Sequence, residues 1–381
     1  MTLARRLLPL GLAALAAACA GSQPETRQPA PAPQQRGEGP GQPRQSASPG
    51  YGDPDNPWPV KTRYVVDLWL HGFALLTDDT SRVPLFRRGY RDEMVVEKNK
   101  RQITTLLDDA HDTLAHYAAA HPYIANAQFA VLTYHNWDAM YADIQVFLAS
   151  GGDPRKVKAS DQAAIVKAWY QLFPGIADRK WLKLYADALN DESRKFYQAF
   201  WDRVELARRP VLAAADSAWS KVALKRFRRF QEGADLQYGD IYLSLPLGAE
   251  GRTLLEGKRQ NVIAVIFPDS VAHAEEAVFV IAHEAVGGVA GRAVSDNTTP
   301  NEKKSGLADT YLTAATVRGG ALIIERVLPA QATAYETFYL RAAGVPFAPG
   351  EEQATFLRTW PLPEAIVAQM KQALQDATSG I

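Results

Sequence analysis

Hydrophobic and polar positions follow a helical period through most of residues 64–230. Apolar side chains that recur every three to four positions predict amphipathic helices. Six segments share this pattern: residues 103–119, 137–149, 160–173, 179–188, 191–207 and 211–230. Residues 64–76 are almost wholly apolar and are predicted to form a buried helix. Tryptophans recur through this part at helical spacings, which is typical of core residues.

The pattern changes after Gly233. Residues 241–245 alternate, and residues 261–267 form the strongest predicted strand, whereas the segment between them is rich in turn residues. Four helices are then predicted: residues 273–294, 307–328, 329–343 and 363–377. This order predicts a helix-dominated α+β fold with a small, largely antiparallel sheet before a long apolar helix. We expect the helical residues 61–235 and the mixed residues 236–381 to form one globular unit.

The N-terminus has the character of an export signal. Within residues 1–18, Arg5 and Arg6 are followed by an apolar stretch that ends in small residues. This stretch is too short to span a bilayer. Cys19, the sole cysteine, follows three alanines in a pattern that resembles a bacterial lipobox, although Ala16 stands where leucine is usual. An ordinary signal peptide, cut after Ala18 to leave a free thiol, is the alternative.

The lipobox resemblance implies a lipoprotein whose Cys19 carries palmitate and anchors the chain to a membrane of the bacterial envelope. Ala20 after the cysteine, in place of aspartate, favours the outer membrane with the protein facing the periplasm. Residues 19–60 are rich in Pro, Gln and Gly with almost no aliphatic side chains, which predicts a disordered tether.

Charge and composition exclude several classes of protein. The chain has 42 basic and 42 acidic residues, and loss of residues 1–18 would leave 40 and 42, a net charge of −2. This balance argues against a nucleic-acid-binding protein. A single cysteine excludes an internal disulfide and a zinc site of several thiolates. The sequence has no glycine-rich phosphate loop and no serine-hydrolase elbow. It therefore supports neither nucleotide binding nor the familiar serine-hydrolase site.

A candidate for chemistry lies in the apolar helix, at His283-Glu284-Ala285-Val286-Gly287. With the strand before it, this segment resembles the zincin metallopeptidases, whose helix carries H-E-x-x-H. Two imidazoles one turn apart bind zinc there, and the glutamate activates the bound water. The resemblance implies His283 as a zinc ligand and Glu284 as the general base. It also implies that residues 262–267 form an edge strand beside the substrate.

Zincins of the gluzincin branch take a third ligand from a later helix. Glu325, 42 residues beyond His283 and flanked by apolar residues, is the corresponding candidate. Tyr335 and Tyr339 are candidates for the phenol that stabilises an oxyanion in some of these enzymes. The resemblance covers residues 239–343, less than a third of the chain.

Gly287 stands where the second histidine is required. Catalytic zinc normally has three protein ligands and one water, so His283 and Glu325 alone would hold the ion poorly. We therefore expect a degenerate metallopeptidase-like domain, a pseudoenzyme that binds peptide or protein, with backbone closely packed around the two glycines at 287 and 288. One alternative is an active zinc peptidase with a ligand recruited from elsewhere, such as Asp296 or Asp309. Another is a structural envelope lipoprotein in which His283 is a hydrogen-bonded core residue and Glu325 pairs with a nearby arginine.

Residues 221–230 are the one dense basic run. Leu224 and Phe227 are spaced to cover a core while the cations face water, which is the ordinary amphipathic arrangement. In a lipid-anchored protein the same cations have an alternative role against anionic headgroups.

Overall fold

The computed structural model describes residues 52, 55–80, 84–234 and 236–379. The predicted signal peptide, Cys19 and nearly all of the predicted tether lie outside the described residues. The helices, numbered in chain order, are α1 Tyr64–Leu75, α2 Tyr90–Lys100, α3 Leu106–Asp109, α4 His111–Ala120, α5 Trp137–Ala149, α6 Ser160–Leu172, α7 Ile176–Glu192, α8 Gln198–Ser217, α9 Leu224–Gly233, α10 Glu276–Ala285, α11 Gly287–Asp296, α12 Pro300–Lys304, α13 Leu307–Val327, α14 Ala332–Ala342, α15 Glu352–Thr359 and α16 Glu364–Ser379.

Among the described residues, four strands form one sheet. They are β1 Val60–Thr62, β2 Gly239–Ser244, β3 Arg252–Glu256 and β4 Gln260–Ile266, in the spatial order β1-β2-β4-β3. The helix-dominated α+β class is confirmed, but the sheet is mixed. Strands β1, β2 and β4 are parallel, and only β3 runs antiparallel to its neighbour β4. The expected antiparallel direction is wrong because β3 folds back outside β4, which leaves β4 beside the parallel β2.

The folded part begins before residue 61. Trp58, inside the predicted tether, is 1% exposed, and its indole N–H donates to Leu236 O at 3.3 Å. Its ring covers Gly239, where a side chain would collide with the indole. Val60 then opens β1 against β2. The tether prediction extended too far because a single tryptophan anchors a segment that otherwise has a linker composition.

One helical run extends from α7 to α9. Two π-helical segments, Ser193–Tyr197 and Ala218–Ala223, join α7 to α8 and α8 to α9 with helical backbone at each junction. The predicted breaks between three separate helices are absent, and Pro210 lies inside α8. One hydrophobic core contains buried side chains from both predicted parts, from Trp58 to Leu374.

The long apolar helix predicted over residues 273–294 is divided in two. Helix α10 ends at Ala285, Val286 has φ −87° and ψ −1°, and α11 begins at Gly287. Adjacent glycines favour such a break because they add the conformational freedom that a helix must lose. Within the described residues, Val271–Asp296 is long and apolar enough to cross a membrane, but 61% of its apolar window is buried in the fold, as in a core helix.

Candidate functional site

Two neighbouring side chains at the end of α10 face the beginning of strand β3. Glu284 accepts a hydrogen bond from Gly251 N at 2.7 Å and another from the Thr253 hydroxyl at 2.6 Å. His283 Nδ1 lies 2.9 Å from the same Glu284 Oε1 that Gly251 contacts. The helix that carries the candidate motif is therefore fastened to β3 through one carboxylate.

These contacts determine the charge of Glu284. Burial raises the pKa of its carboxyl, but the hydrogen bond and charge of His283, with the bonds from Thr253 and Gly251, outweigh burial and leave the pKa below its usual value. The carboxylate is thus ionised and its oxygens are engaged by three donors. A general base needs a free oxygen toward its substrate or water, and this arrangement uses the oxygens for structure.

His283 has one nitrogen engaged and one free. Its side chain is 8% exposed, and its ring stacks on Tyr339 with centroids 5.6 Å apart. The buried Nε2 has no hydrogen-bond partner among the described residues. Because Nδ1 engages the ionised Glu284, Nε2 is the ring nitrogen that is left to meet a ligand, as an acceptor in the neutral ring and as a donor in the imidazolium. An unsatisfied buried polar atom costs about 1–3 kcal/mol, so this nitrogen points to a ligand or a water.

Two further charged groups lie close to this pair. Burial raises the pKa of Glu250, and Glu284 adds to that rise, while His283 and Arg252 oppose it. The Arg252 guanidinium is 7% exposed and donates to Gln128 Oε1 at 2.9 and 2.6 Å. Burial lowers the pKa of Arg252. The local environment of His283 is therefore a buried polar patch built from β3 and the segment before it.

The position of the missing histidine is open. A Cβ atom on Gly287 would meet nothing within 4 Å, and the same holds for Gly288 and Gly291. The expectation that backbone packs closely around these glycines is wrong. The glycines instead leave a face of α11 uncovered, one turn beyond His283.

Glu325 is not brought to His283. The residue that touches the His283 backbone from α13 is Gly320, whose Cβ position lies 3.2 Å from His283 Cα. Five helical residues rotate by roughly 140° beyond one full turn, so Glu325 points away from that contact. Its side chain is exposed, and its negative charge adds to burial in raising the pKa of Glu336.

The described residues contain no group of three His, Cys, Asp or Glu side chains placed to hold a metal ion. Asp296 is exposed and accepts a hydrogen bond from Gln369 at 2.7 Å, far along α11 from His283. Asp309 lies at the start of α13, three turns before Gly320. The donor set at His283 therefore does not fit a catalytic zinc ion, which needs three protein ligands.

The two predicted oxyanion phenols are buried. Tyr335 donates to Val317 O at 2.8 Å and Tyr339 donates to Ala249 O at 3.0 Å. Burial raises the pKa of both phenols well above the usual range. Their rings pack on one side of His283. Their hydroxyl groups donate to backbone carbonyls, and not to an oxyanion.

The edge strand also differs from the expectation. Strand β4 lies between β2 and β3, whereas β3 is at the edge. Sequence reasoning missed Gly251 and Thr253, the partners of Glu284, because they fall in a segment interpreted as a connection. The short run Thr253-Leu254-Leu255 before a turn at Gly257 was the available signal.

A second buried polar cluster lies in the helical part. His71 contacts Tyr90 at 3.0 Å and Glu192 Oε1 at 3.1 Å, and Lys98 donates to Glu192 Oε2 at 2.8 Å. Burial raises the pKa of Glu192, but His71 and Lys98 outweigh it and lower the pKa to about 2. These polar atoms satisfy one another, which is the arrangement of a structural cluster.

Comparisons with known proteins add no relative. No family model, no curated protein and no solved structure matches this chain. The resemblance to zincins is therefore an expectation that rests on the sequence alone.

Proposed function

We propose that the chain is an exported lipoprotein of the bacterial envelope whose metallopeptidase-like part binds a peptide or protein segment without hydrolysing it. One observation carries the binding role: the buried, unpartnered Nε2 of His283, held by Glu284, stands one turn from the open face at Gly287. This nitrogen needs a hydrogen-bonding group from a ligand.

Strand β3 supports an extended ligand. Within the described sheet it pairs only with β4, so its other side is the edge of the sheet. Extended peptides bind proteins by adding a strand to such an edge, and side-chain pockets then provide specificity. Gly251, just before this strand, and Thr253 within it donate to Glu284, so a ligand on β3 would bind to the strand that holds the His283–Glu284 pair.

The site favours binding over catalysis for two reasons. Only His283 remains of the expected ligands, since Gly287 has no side chain and Glu325 is exposed on α13. The carboxylate expected to act as the base is occupied by three donors.

Binding is tested with fluorescein-labelled β-casein, an unstructured protein, by fluorescence anisotropy and by gel analysis of its cleavage. We expect binding without cleavage, and roughly tenfold weaker binding for His283→Ala because a buried hydrogen bond is lost. His273→Ala, a histidine whose side chain is 48% exposed just before α10, is the matched control and should bind as wild type. Equal binding by both variants would contradict the role of His283.

Metal content separates the binding protein from an active peptidase. After zinc loading and dialysis, we expect far less than one zinc per chain and no cleavage by wild type or Glu284→Gln. Near-stoichiometric zinc that is lost in both His283→Ala and Glu325→Ala, with casein cleavage abolished by Glu284→Gln, would overturn the proposal. Labelled palmitate that is still incorporated into Cys19→Ala would refute the lipid anchor separately.

A further inference from the structure

The exposed side of α9 and of the π-helical segment before it is strongly cationic. Five basic side chains face water there: Lys221, Lys225, Arg226, Arg228 and Arg229. We name this set the α9 basic face. Phe227 and Phe230 on the opposite side are each 1% exposed and belong to the core, so the helix is fixed to the fold and its basic side is oriented outward.

Most of these charges are not neutralised. Arg228 pairs with Glu232 at 2.9 Å, and Glu232 is the only acidic residue in 221–233. Within the described part of the chain, no carboxylate forms an ion pair with Lys221, Lys225, Arg226 or Arg229. The complete chain has a formal net charge of zero, so the α9 basic face is a local concentration of charge on a neutral protein.

This face adjoins the point where the chain joins the fold. The Trp219 indole donates to Trp58 O at 3.0 Å, and its ring packs on Phe227 of α9 with centroids 5.6 Å apart. Trp219 thus connects Trp58, the first buried residue of the described chain, to the core side of α9 through one hydrogen bond and one ring contact. Residue 19, the predicted lipid site, precedes Trp58 by about 40 positions.

The amino-terminal ends of the parallel strands lie at the same place. Val60 pairs with Ile241 and Gly239 pairs with Asn261, so β1, β2 and β4 begin together near Trp58. The exposed β3–β4 turn at this end contributes Arg259, whose guanidinium lies 5.5 Å from the ring of Tyr238. One end of the molecule therefore combines the incoming chain with exposed cations.

We infer that the α9 basic face docks on the anionic headgroups of the membrane to which the chain is tethered. Each Lys or Arg near an anionic bilayer contributes attraction that decays within a Debye length, so such a face binds weakly by itself and more strongly when an anchor keeps it close. Single lipid anchors are often assisted by a second, basic signal. The inference rests on the lipid-anchor part of the proposed function and is independent of the His283 site.

The test uses the full chain with Cys19→Ala, which removes the lipid site, and sedimentation with vesicles of 30% phosphatidylglycerol in phosphatidylcholine. The test variant adds Lys225→Glu, Arg226→Glu and Arg229→Glu. The matched control adds Lys158→Glu, Lys167→Glu and Lys180→Glu, three exposed lysines of the helical part with the same change in charge. We expect the test variant to lose roughly tenfold or more in affinity and the control to lose much less.

Binding by the parent should weaken steeply between 50 and 300 mM salt and be weak on pure phosphatidylcholine. A second variant with glutamine at the same three positions should be intermediate, and its thermal unfolding checks that the fold is intact. Equal losses in test and control variants, or no loss in either, would overturn the inference. So would unchanged vesicle binding with lost heparin binding, which would assign the face to an anionic polymer. Palmitate labelling of the unmutated chain reports on the anchor alone.

Discussion

At the residue scale, Asp67 on α1 is a buried carboxyl group whose pKa is raised. Its carboxyl is 1% exposed and accepts hydrogen bonds from Trp201 Nε1 at 2.7 Å and from Leu245 N at 3.2 Å. Burial raises the pKa of Asp67 to about 7, although these bonds and the charge of Arg208 act against the rise. Asp67 joins α1, α8 and the end of β2, so its protonation affects the centre of the fold.

The raised pKa of Asp67 predicts a loss of stability with rising pH. Between about pH 4 and pH 7 the folded protein retains a proton that the unfolded chain has released, so the contribution of Asp67 to the free energy of unfolding falls by about 1.4 kcal/mol per pH unit. Asp67→Asn lacks this titration. From pH 5 to pH 8 we expect its stability relative to wild type to improve by about 2–3 kcal/mol in urea unfolding.

Asp202→Asn is the control for this measurement, because Asp202 is an exposed aspartate of α8. Its stability should follow the wild-type pH curve at a constant offset. If Asp67→Asn also follows the wild-type curve, Asp67 is ionised in the folded protein throughout the range.

At the element scale, glycines in two neighbouring helices have opposite roles. Gly291 in α11 faces open space, whereas a methyl group on Gly320 in α13 would overlap the Tyr335 hydroxyl and lie 2.9 Å from its Cζ. The close approach at Gly320 lets α13 pass over His283 and Tyr335. The glycine at 291 has no such steric requirement.

Alanine substitutions at these glycines should therefore change stability in opposite directions. We expect Gly291→Ala to raise the free energy of unfolding by about 0.5–1 kcal/mol, because alanine has less freedom to lose in a helix. Gly320→Ala should lower it by about 1–3 kcal/mol through overpacking. Urea unfolding of the two variants, each compared with wild type, checks both signs, and a stabilised Gly320→Ala would contradict the close approach.

Element boundaries were predicted well where the signal was local. Helix α5 occupies Trp137–Ala149, as predicted, because Asn136 caps it by accepting Ala139 N at 2.8 Å. The run from α7 to α9 was predicted as three helices, whereas the helical backbone continues through Pro210 and through two π-helical turns, which have no clear sequence signal. The strand β3 was missed because its five residues lie among turn residues.

At the scale of the whole molecule, Trp58 is the residue that fastens the incoming chain. Its ring covers Gly239, and its backbone oxygen accepts from Trp219. Because these contacts hold β1 in the sheet and support α9, Trp58 connects the two predicted parts of the chain.

We expect Trp58→Ala to lower the free energy of unfolding by about 3–5 kcal/mol, since a large buried side chain would be replaced by a cavity. Tyr170→Ala, an aromatic residue that is 46% exposed, should cost less than about 1 kcal/mol and serves as the control. Similar small losses for both variants would mean that the chain before β1 contributes little to the fold.

The candidate site shows the limit of sequence reasoning at this scale. The motif placed His283 and Glu284 next to each other in sequence, but adjacent side chains on a helix do not ordinarily face each other, so their contact was not predicted. Glu325 was chosen for its apolar neighbours, but the helical period turns Ile323, Ile324 and Val327 inward and leaves Glu325 in water. The Gly251 partner of Glu284 depends on where β3 lies, which no local pattern specifies.

The pairing of β1 with β2 also constrains how the protein folds. Strand β1 leaves the ribosome before the other described strands, yet its contacts, such as Lys61 with Asp240, join residues 179 positions apart. Closing so long a loop costs chain entropy before any contact compensates for it. We expect the helical residues to form structure early while β1 waits for β2 and β4. We therefore expect the pairing of the four short strands, and not the formation of the helices, to limit the rate of folding.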